Sequence, residues 1–371
     1  MGASLPAHPT GVPAELGVAQ TSRPRHAEYA EAEEPLREGL ELTRRLGEPF
    51  GVATALCSLG RAASAQGRMD QAGECYDEAL QVARHAGAGA VVPFALHGLA
   101  ELAHARGDLS NADALFQEAI IMARRERRSP AAMLGGLARV EAARGATERA
   151  ANLFEESADL ARRGGQAHVL ATVLHDWGVL VRKQGKTQQA GALQVESLRV
   201  GHQIRNWVRV MLSLEGLAAL AADTRRFEVA ARLFAAADRL AQEHSHRGPS
   251  RYDAEREAAG HALGPERFER ATQEGAGLSL ADAVSYASRH PVPRDPSATG
   301  WSALSEVERQ VIALVAEHMT NVEIGERLFI SPRTASTHLS RIYAKLGISS
   351  RRELARQARE PHGPKNTVAS T

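Results

Sequence analysis

The chain has 371 residues, a net charge of +1 and only 4% aromatic residues. That length suits two or more domains, and the near-neutral balance excludes a nucleic-acid or acidic-substrate signal spread over the whole chain. A composition rich in Ala, Leu, Arg and Glu favours helix over strand.

Residues 1–25 carry no basic start followed by an apolar run, so no leader is expected there, only a disordered segment. Nowhere do ~18 apolar residues run together, so no membrane partner is expected. Cys57 and Cys75 are too far apart for a C-x-x-C unit, and a reduced, cytoplasmic chain follows.

Residues 26–245 repeat. Gly67, Gly107, Gly145, Gly185 and Arg225 stand 38 or 40 residues apart. Five residues after each is an alanine: Ala72, Ala112, Ala150, Ala190 and Ala230. Nine after come Tyr76, Phe116, Phe154, Gln194 and Phe234, and twelve after come Ala79, Ala119, Ser157, Ser197 and Ala237. Eleven before stand Leu56, Leu96, Leu134, Leu174 and Leu214. Eight before, Leu59, Leu99, Leu137, Trp177 and Leu217 are each followed by Gly or Ala. A degenerate sixth unit begins near Ala27, with Ala32 and Leu36 in register. Such spacing puts apolar and small residues on facing sides of two helices joined at the anchor, where Gly stops the first helix at low steric cost. A single pair cannot bury its apolar face, so pairs stack.

Gly185-Lys186-Thr187 looks like the tail of a phosphate-binding loop, but the first Gly of that motif would fall on Leu180 and no strand precedes it. It is read as an interhelical turn, with Thr187 capping the next helix. Gln194, in an aromatic position, is expected either to loosen the stack or to open a polar pocket. These units resemble tetratricopeptide repeats, stretched from 34 to about 40 residues, in the form found in large bacterial regulators. The resemblance implies that a peptide, protein or small effector binds in the groove. The ATPase module that large relatives carry ahead of such repeats has no counterpart among these residues.

Residues 246–289 lose the register and read as three shorter helices that cap the array. Residues 290–301, with three prolines and no apolar pattern, read as a linker.

Residues 302–360 read as four short helices, before a tail at 361–371 expected to be disordered. Ser305 with Glu308, Thr320 with Glu323 and Ser350 with Glu353 fit capping boxes. Ser331 before Pro332 fits an N-cap with Pro at the first helical position. In the third helix Ala335, Leu339, Ile342 and Leu346 share a core face, leaving Ser336, Thr337, Ser340 and Arg341 on the other side. Charge divides as well: two arginines against five glutamates from Trp301 to Ile330, seven basic against two acidic residues from Ser331 to Glu360. The basic half holds the third helix, as phosphate neutralisation requires.

The motifs Leu304-Ser305, Asn321-Val322-Glu323-Ile324-Gly325, Ser331-Pro332-Arg333-Thr334-Ala335-Ser336-Thr337-His338 and Lys345-Leu346-Gly347 resemble, in register, the LuxR-type helix-turn-helix. That resemblance implies that Ser336, Thr337 and Ser340 reach bases, and that Arg333, Thr334, His338, Arg341 and Lys345 approach phosphates. It also implies that the last helix, with Arg352, Leu354, Ala355 and Ala358, pairs two copies. Three departures stand out. Ser336 replaces a common basic residue, Ala335 a β-branched one, and His318 and Gly325 a usual Gly and Ala.

The expected fold is therefore all-α, a tetratricopeptide-like solenoid followed by a four-helix LuxR-type domain. The expected function is a sequence-specific DNA-binding transcription regulator, dimeric on double-stranded DNA, with RNA polymerase a further candidate partner. An interaction scaffold whose helix-turn-helix serves mainly for dimerisation stays open as an alternative. An enzyme is not expected: G-x-S-x-G is lacking, His244 and His246 have no accompanying carboxylate or Cys cluster, and no metal or cofactor is called for.

Overall fold

In the computed structural model of the chain, the described residues are 25–244, 250–290, 301, 304, 306–328 and 332–358. They form helices and no strand, in two compact units divided after Val292. The expected disordered ends, Ser331, Ser305 and almost all of the linker lie outside the described residues.

The first unit opens with α1 (Arg25–Leu46) and continues as five helix pairs. The first helices of the pairs are α2 (Pro49–Ala65), α4 (Val92–Ala105), α6 (Ala131–Ala143), α8 (Ala167–Lys183) and α10 (Trp207–Asp223). Their partners are α3 (Met69–His85), α5 (Leu109–Arg125), α7 (Thr147–Arg163), α9 (Thr187–Gln203) and α11 (Phe227–Glu243). All five anchors sit at positive φ, from 58° at Arg225 to 82° at Gly145. The residue after each anchor turns its amide back onto the carbonyl five residues earlier, as Lys186 does to Val181 at 3.0 Å. This left-handed stop satisfies the orphan carbonyls of the first helix. Gly185-Lys186-Thr187 is such a turn. Thr187, however, is the first residue of α9; Lys186 holds the cap position, and no side chain bonds there. The threonine lies one residue too far along to cap.

A second set of stops, at Gly47, Gly87, Arg127, Gly165 and Arg205, repeats the conformation between pairs. Seven of these ten stops are glycine, and the other three, Arg127, Arg205 and Arg225, are arginine held at a φ that L residues adopt at a cost.

The aromatic position nine residues past each anchor locks one pair to the next. The Tyr76 ring lies against Gly60 of its own pair and Gly98 of the following one, where an added Cβ would come within 2.8 and 2.4 Å of it. Phe116 lies against Gly136 in the same way, at 2.3 Å. Gln194 takes this slot between Gly178 and Gly216. Its amide accepts from His175 Nδ1 at 3.0 Å and donates to the His175 carbonyl at 3.2 Å. Gln194 is buried, so no polar pocket opens there; burial also pushes the His175 imidazole down to about 4, which keeps it neutral for this bond. Twelve residues past the anchors, Ser157 and Ser197 donate to the Ala131 and Ala171 carbonyls of their partner helices, at 2.6 and 2.7 Å.

Consecutive first helices touch each other, while exposed ion pairs link α1 to α3 and then consecutive second helices: Arg44 to Glu78, Arg84 to Glu118, Arg124 to Glu156 and Arg162 to Glu196. The stack therefore curves with the first helices inside. On that inner side Arg139 of α6 pairs with Glu101 of α4 and lies 3.7 Å from Asp176 of α8. His97 stands beside Glu101 at 3.5 Å, and crowding by the helices lowers its pKa.

The end of the array is closed by α12 (Asp253–Leu263), α13 (Pro265–Ala276) and α14 (Leu280–Arg289). Arg182 of α8 donates to Asp223 and to Glu255 of α12, at 2.7 and 2.5 Å, while the Tyr252 ring stacks on its guanidinium. Helix α13 crosses α11 at Gly275, so near that an added Cβ would sit 2.2 Å from the Arg232 carbonyl oxygen. His244 stacks on Trp207, and His246 lies outside the described residues.

Candidate nucleic-acid interface

The second unit is built from α15 (Glu306–Ala316), α16 (Asn321–Leu328), α17 (Pro332–Leu346) and α18 (Arg351–Gln357). Its core gathers Val311, Ile312 and Val315 of α15, Ile324 of α16, Ala335, Leu339 and Ile342 of α17, and Leu354 of α18. The 4-3 spacing in α17 thus buries the face expected of it.

Local chemistry fixes the helix starts. Thr320 and Glu323 form a reciprocal box: the Thr320 amide donates to the Glu323 carboxylate at 2.6 Å, and the Glu323 amide to Thr320 Oγ1 at 3.4 Å. Ser350 accepts from the Glu353 amide at 3.2 Å, and Glu353 reaches the Ser349 amide, one residue further back than the motif predicts. Arg351 ties α18 to the start of α16, donating to Asn321 Oδ1 at 2.8 Å and to the Met319 carbonyl.

His318 ends α15 at φ 66°, a left-handed position. This explains why glycine is the usual residue there: a Cβ is tolerated, with strain. His318→Gly is expected to stabilise this unit by about 0.5–1 kcal/mol, somewhat less than the strain because Gly also frees the unfolded chain. Slower amide exchange in α15 of the full chain would show it; unchanged or faster exchange would mean the histidine is unstrained.

The opposite face of α17 is open. Arg333, Thr334, Ser336, Thr337, Ser340 and Arg341 are all exposed, on one side of a helix whose other side is locked into the core. Thr337 and Ser340 donate their hydroxyls to the carbonyls of Arg333 and Ser336, at 3.0 and 3.1 Å. Both hydroxyls keep their lone pairs outward, so each can accept as it stands, or donate after rotating off the carbonyl. His338 is half-buried, and its Nδ1 has no hydrogen-bond partner among the described residues. Arg327 of α16 and Arg352 and Arg356 of α18 are exposed as well.

Two residues are placed differently from the rest. Lys345 turns its ammonium inward onto Glu308 of α15 at 2.5 Å, the carboxylate being 1% and the lysine side chain 16% exposed. Its charge is spent inside the unit, and a phosphate would have to compete with a buried carboxylate for it. The sequence held two signs of this. Lys345 stands three residues past Ile342, at the edge of the core face, and it is the one lysine among the arginines of this stretch. Leu354 is fully buried in the unit's own core and offers no surface to a second copy, whereas Arg352, Ala355 and Ala358 keep part of theirs.

Residues 302–358 match the family model for bacterial regulatory proteins of the luxR family. The second unit is a LuxR-type helix-turn-helix domain. Residues 22–193 match the MalT-like tetratricopeptide region, and the same pair geometry continues past that match through α10 and α11. A candidate HTH-type transcriptional regulator of Mycobacterium tuberculosis is 37% identical over 172 residues, 45% of this chain and 20% of that protein. The chain thus spans about a fifth of the length of the mycobacterial relatives it matches. Two shorter proteins are similar over 60 and 54 residues: the transcriptional regulatory protein LiaR of Bacillus subtilis, 42% identical over 16% of this chain and 28% of its own, and the DNA-binding transcriptional activator DevR/DosR of M. tuberculosis, 37% identical over 15% and 25%. Among solved structures, BtubC from P. vanneervenii aligns with 60% of this chain and 94% of its own at 17% identity, with a TM-score of 0.47. In the LuxR-type domain, α16 and α17 are the two consecutive helices of the helix-turn-helix.

Proposed function

We propose that the chain is a cytoplasmic transcription regulator that reads double-stranded DNA through α17 of its LuxR-type domain. The observation that carries this is the outward face of α17: four hydroxyl side chains flanked by arginines on a rigid helix of the width a major groove accepts. Ser336, Thr337 and Ser340 take the base edges, and Arg333, Thr334, His338 and Arg341 the phosphates. With no bidentate cation at position 336, readout leans on backbone contacts and duplex shape.

Two domains paired through Arg352, Ala355 and Ala358 of α18 would meet half-sites about one helical turn apart. The inner side of the array, with His97, Glu101, Arg139 and Asp176, receives the protein or small-molecule effector.

Arg333→Ala with Arg341→Ala tests the reading. Each lost phosphate contact lowers the slope of log K against log salt by about 1, so the double variant is expected to lose about 2 per bound domain, about 4 for the pair, and to weaken on all sequences alike. An unaltered slope in a folded variant would remove α17 from the interface.

A further inference from the structure

The repeats supply their own control for one site. At the junction between neighbouring pairs, the residue six past one anchor faces the residue one before the next. Between the second and third pairs these are Asp113 and Arg144, bonded at 2.7 Å, with Arg144 also donating to the Leu109 carbonyl at 2.9 Å. Between α1 and the first pair, Glu33 accepts from Gln66 at 3.4 Å and from Arg68 at 2.5 Å. Between the first and second pairs the same two positions are Gly73 and Arg106. The arginine is kept and the carboxylate is missing.

What remains there is a cavity of about 440 Å3 between α3, α4 and α5. Leu80, Leu96, Leu99, Leu102 and Leu115 form its apolar side, and the charged and polar side chains of Asp77, Arg84, Arg106, Asp108, Asn111 and Glu118 line the rest. Packing does not demand the gap, because a Cβ on Gly73 would meet only Leu102 Cδ1, at an ordinary 3.7 Å. The rim acids are mostly committed: Asp108 caps the Asn111 amide at 3.1 Å and Glu118 holds Arg84 at 2.6 Å, leaving Asp77. Arg106 swings instead to Asp70 at 2.8 Å, a pair in which the side chains are 55% and 97% exposed. Such a pair is weak and readily exchanged.

We propose that this cavity binds a small monocarboxylate with an aliphatic body, the ligand's carboxylate taking on Arg106 the place that Asp113 takes on Arg144. The aliphatic chain lies among the leucines, where burying methylenes supplies the affinity and the guanidinium fixes the orientation. None of the inner-side residues His97, Glu101, Arg139 or Asp176 lines the cavity, so the site is separate from the effector groove.

Titration calorimetry of the full chain without DNA tests this, with octanoate as the probe and octanol as its uncharged counterpart. Octanoate is expected to bind saturably at one site, and octanol at least tenfold more weakly, the factor that a charge-assisted bond of this kind contributes. Gly73→Asp, whose own carboxylate closes on Arg106, should abolish the octanoate signal while keeping the helical circular dichroism. Arg106→Ala should weaken octanoate at least tenfold and leave octanol unchanged. The proposal is overturned if octanoate gives no saturable heat, if octanol binds as tightly, or if both variants bind octanoate like the parent chain.

Discussion

Lys345→Ala is expected to destabilise the LuxR-type domain by about 3–5 kcal/mol, the cost of leaving a buried charge without its partner. Glu308 is 1% exposed and has Lys345 across from it, so removing the ammonium takes the countercharge from a buried carboxylate between α15 and α17. Amide exchange in those two helices of the full chain should accelerate by orders of magnitude, with the repeat array unaffected. Replacing both partners with apolar residues, Glu308→Leu with Lys345→Met, should recover most of the loss, since a buried pair contributes little net stability over an apolar substitute. A phosphate-contacting lysine gives the reverse pattern, with stability kept and the salt slope reduced by about 1. That outcome would return Lys345 to the DNA face.

The second large effect is expected at the end of the array. Gly275→Ala places a methyl 2.2 Å from the Arg232 carbonyl oxygen and 2.6 Å from its Cα. Both are backbone atoms of α11, so no side-chain rotation relieves the contact, and α13 must lift away. The expected cost is about 1–3 kcal/mol or more. Limited proteolysis should cut first in α13 and α14, and denaturant unfolding of the full chain should shift to lower concentration. At Gly60 the obstruction is the Tyr76 ring, which can tilt, so Gly60→Ala serves as the milder comparison. If the two substitutions cost the same, the close crossing of α11 and α13 is not what holds the cap.

Much of this was legible in the residues because it is local. The five anchors and the split of α17 into a core face and an open face depend on spacing within a few turns, and the structure has them where spacing puts them. The intervening stops at Gly47, Gly87 and Gly165 went unread because Arg127 and Arg205 interrupt the glycine signal at a conformation arginine seldom takes. Gly98, Gly136 and Gly216, nine residues before their anchors, also form a series. Their meaning lies in which side chain arrives from the preceding pair, and spacing along one helix does not carry that. Glu308 and Lys345, 37 residues apart, are a case of the same kind: each fits a local motif, and only the fold sets them against each other.

The arginine–glutamate links on the outer side have a mechanical consequence. They brace only one side of the bow, they are solvated, and dissolved ions weaken them, whereas the ring-on-glycine joints are dry and indifferent to salt. Stiffness is therefore split between two layers with different sensitivities, much as in a bimetallic strip. A change of ionic strength alone would then alter the radius of the bow without breaking a single joint.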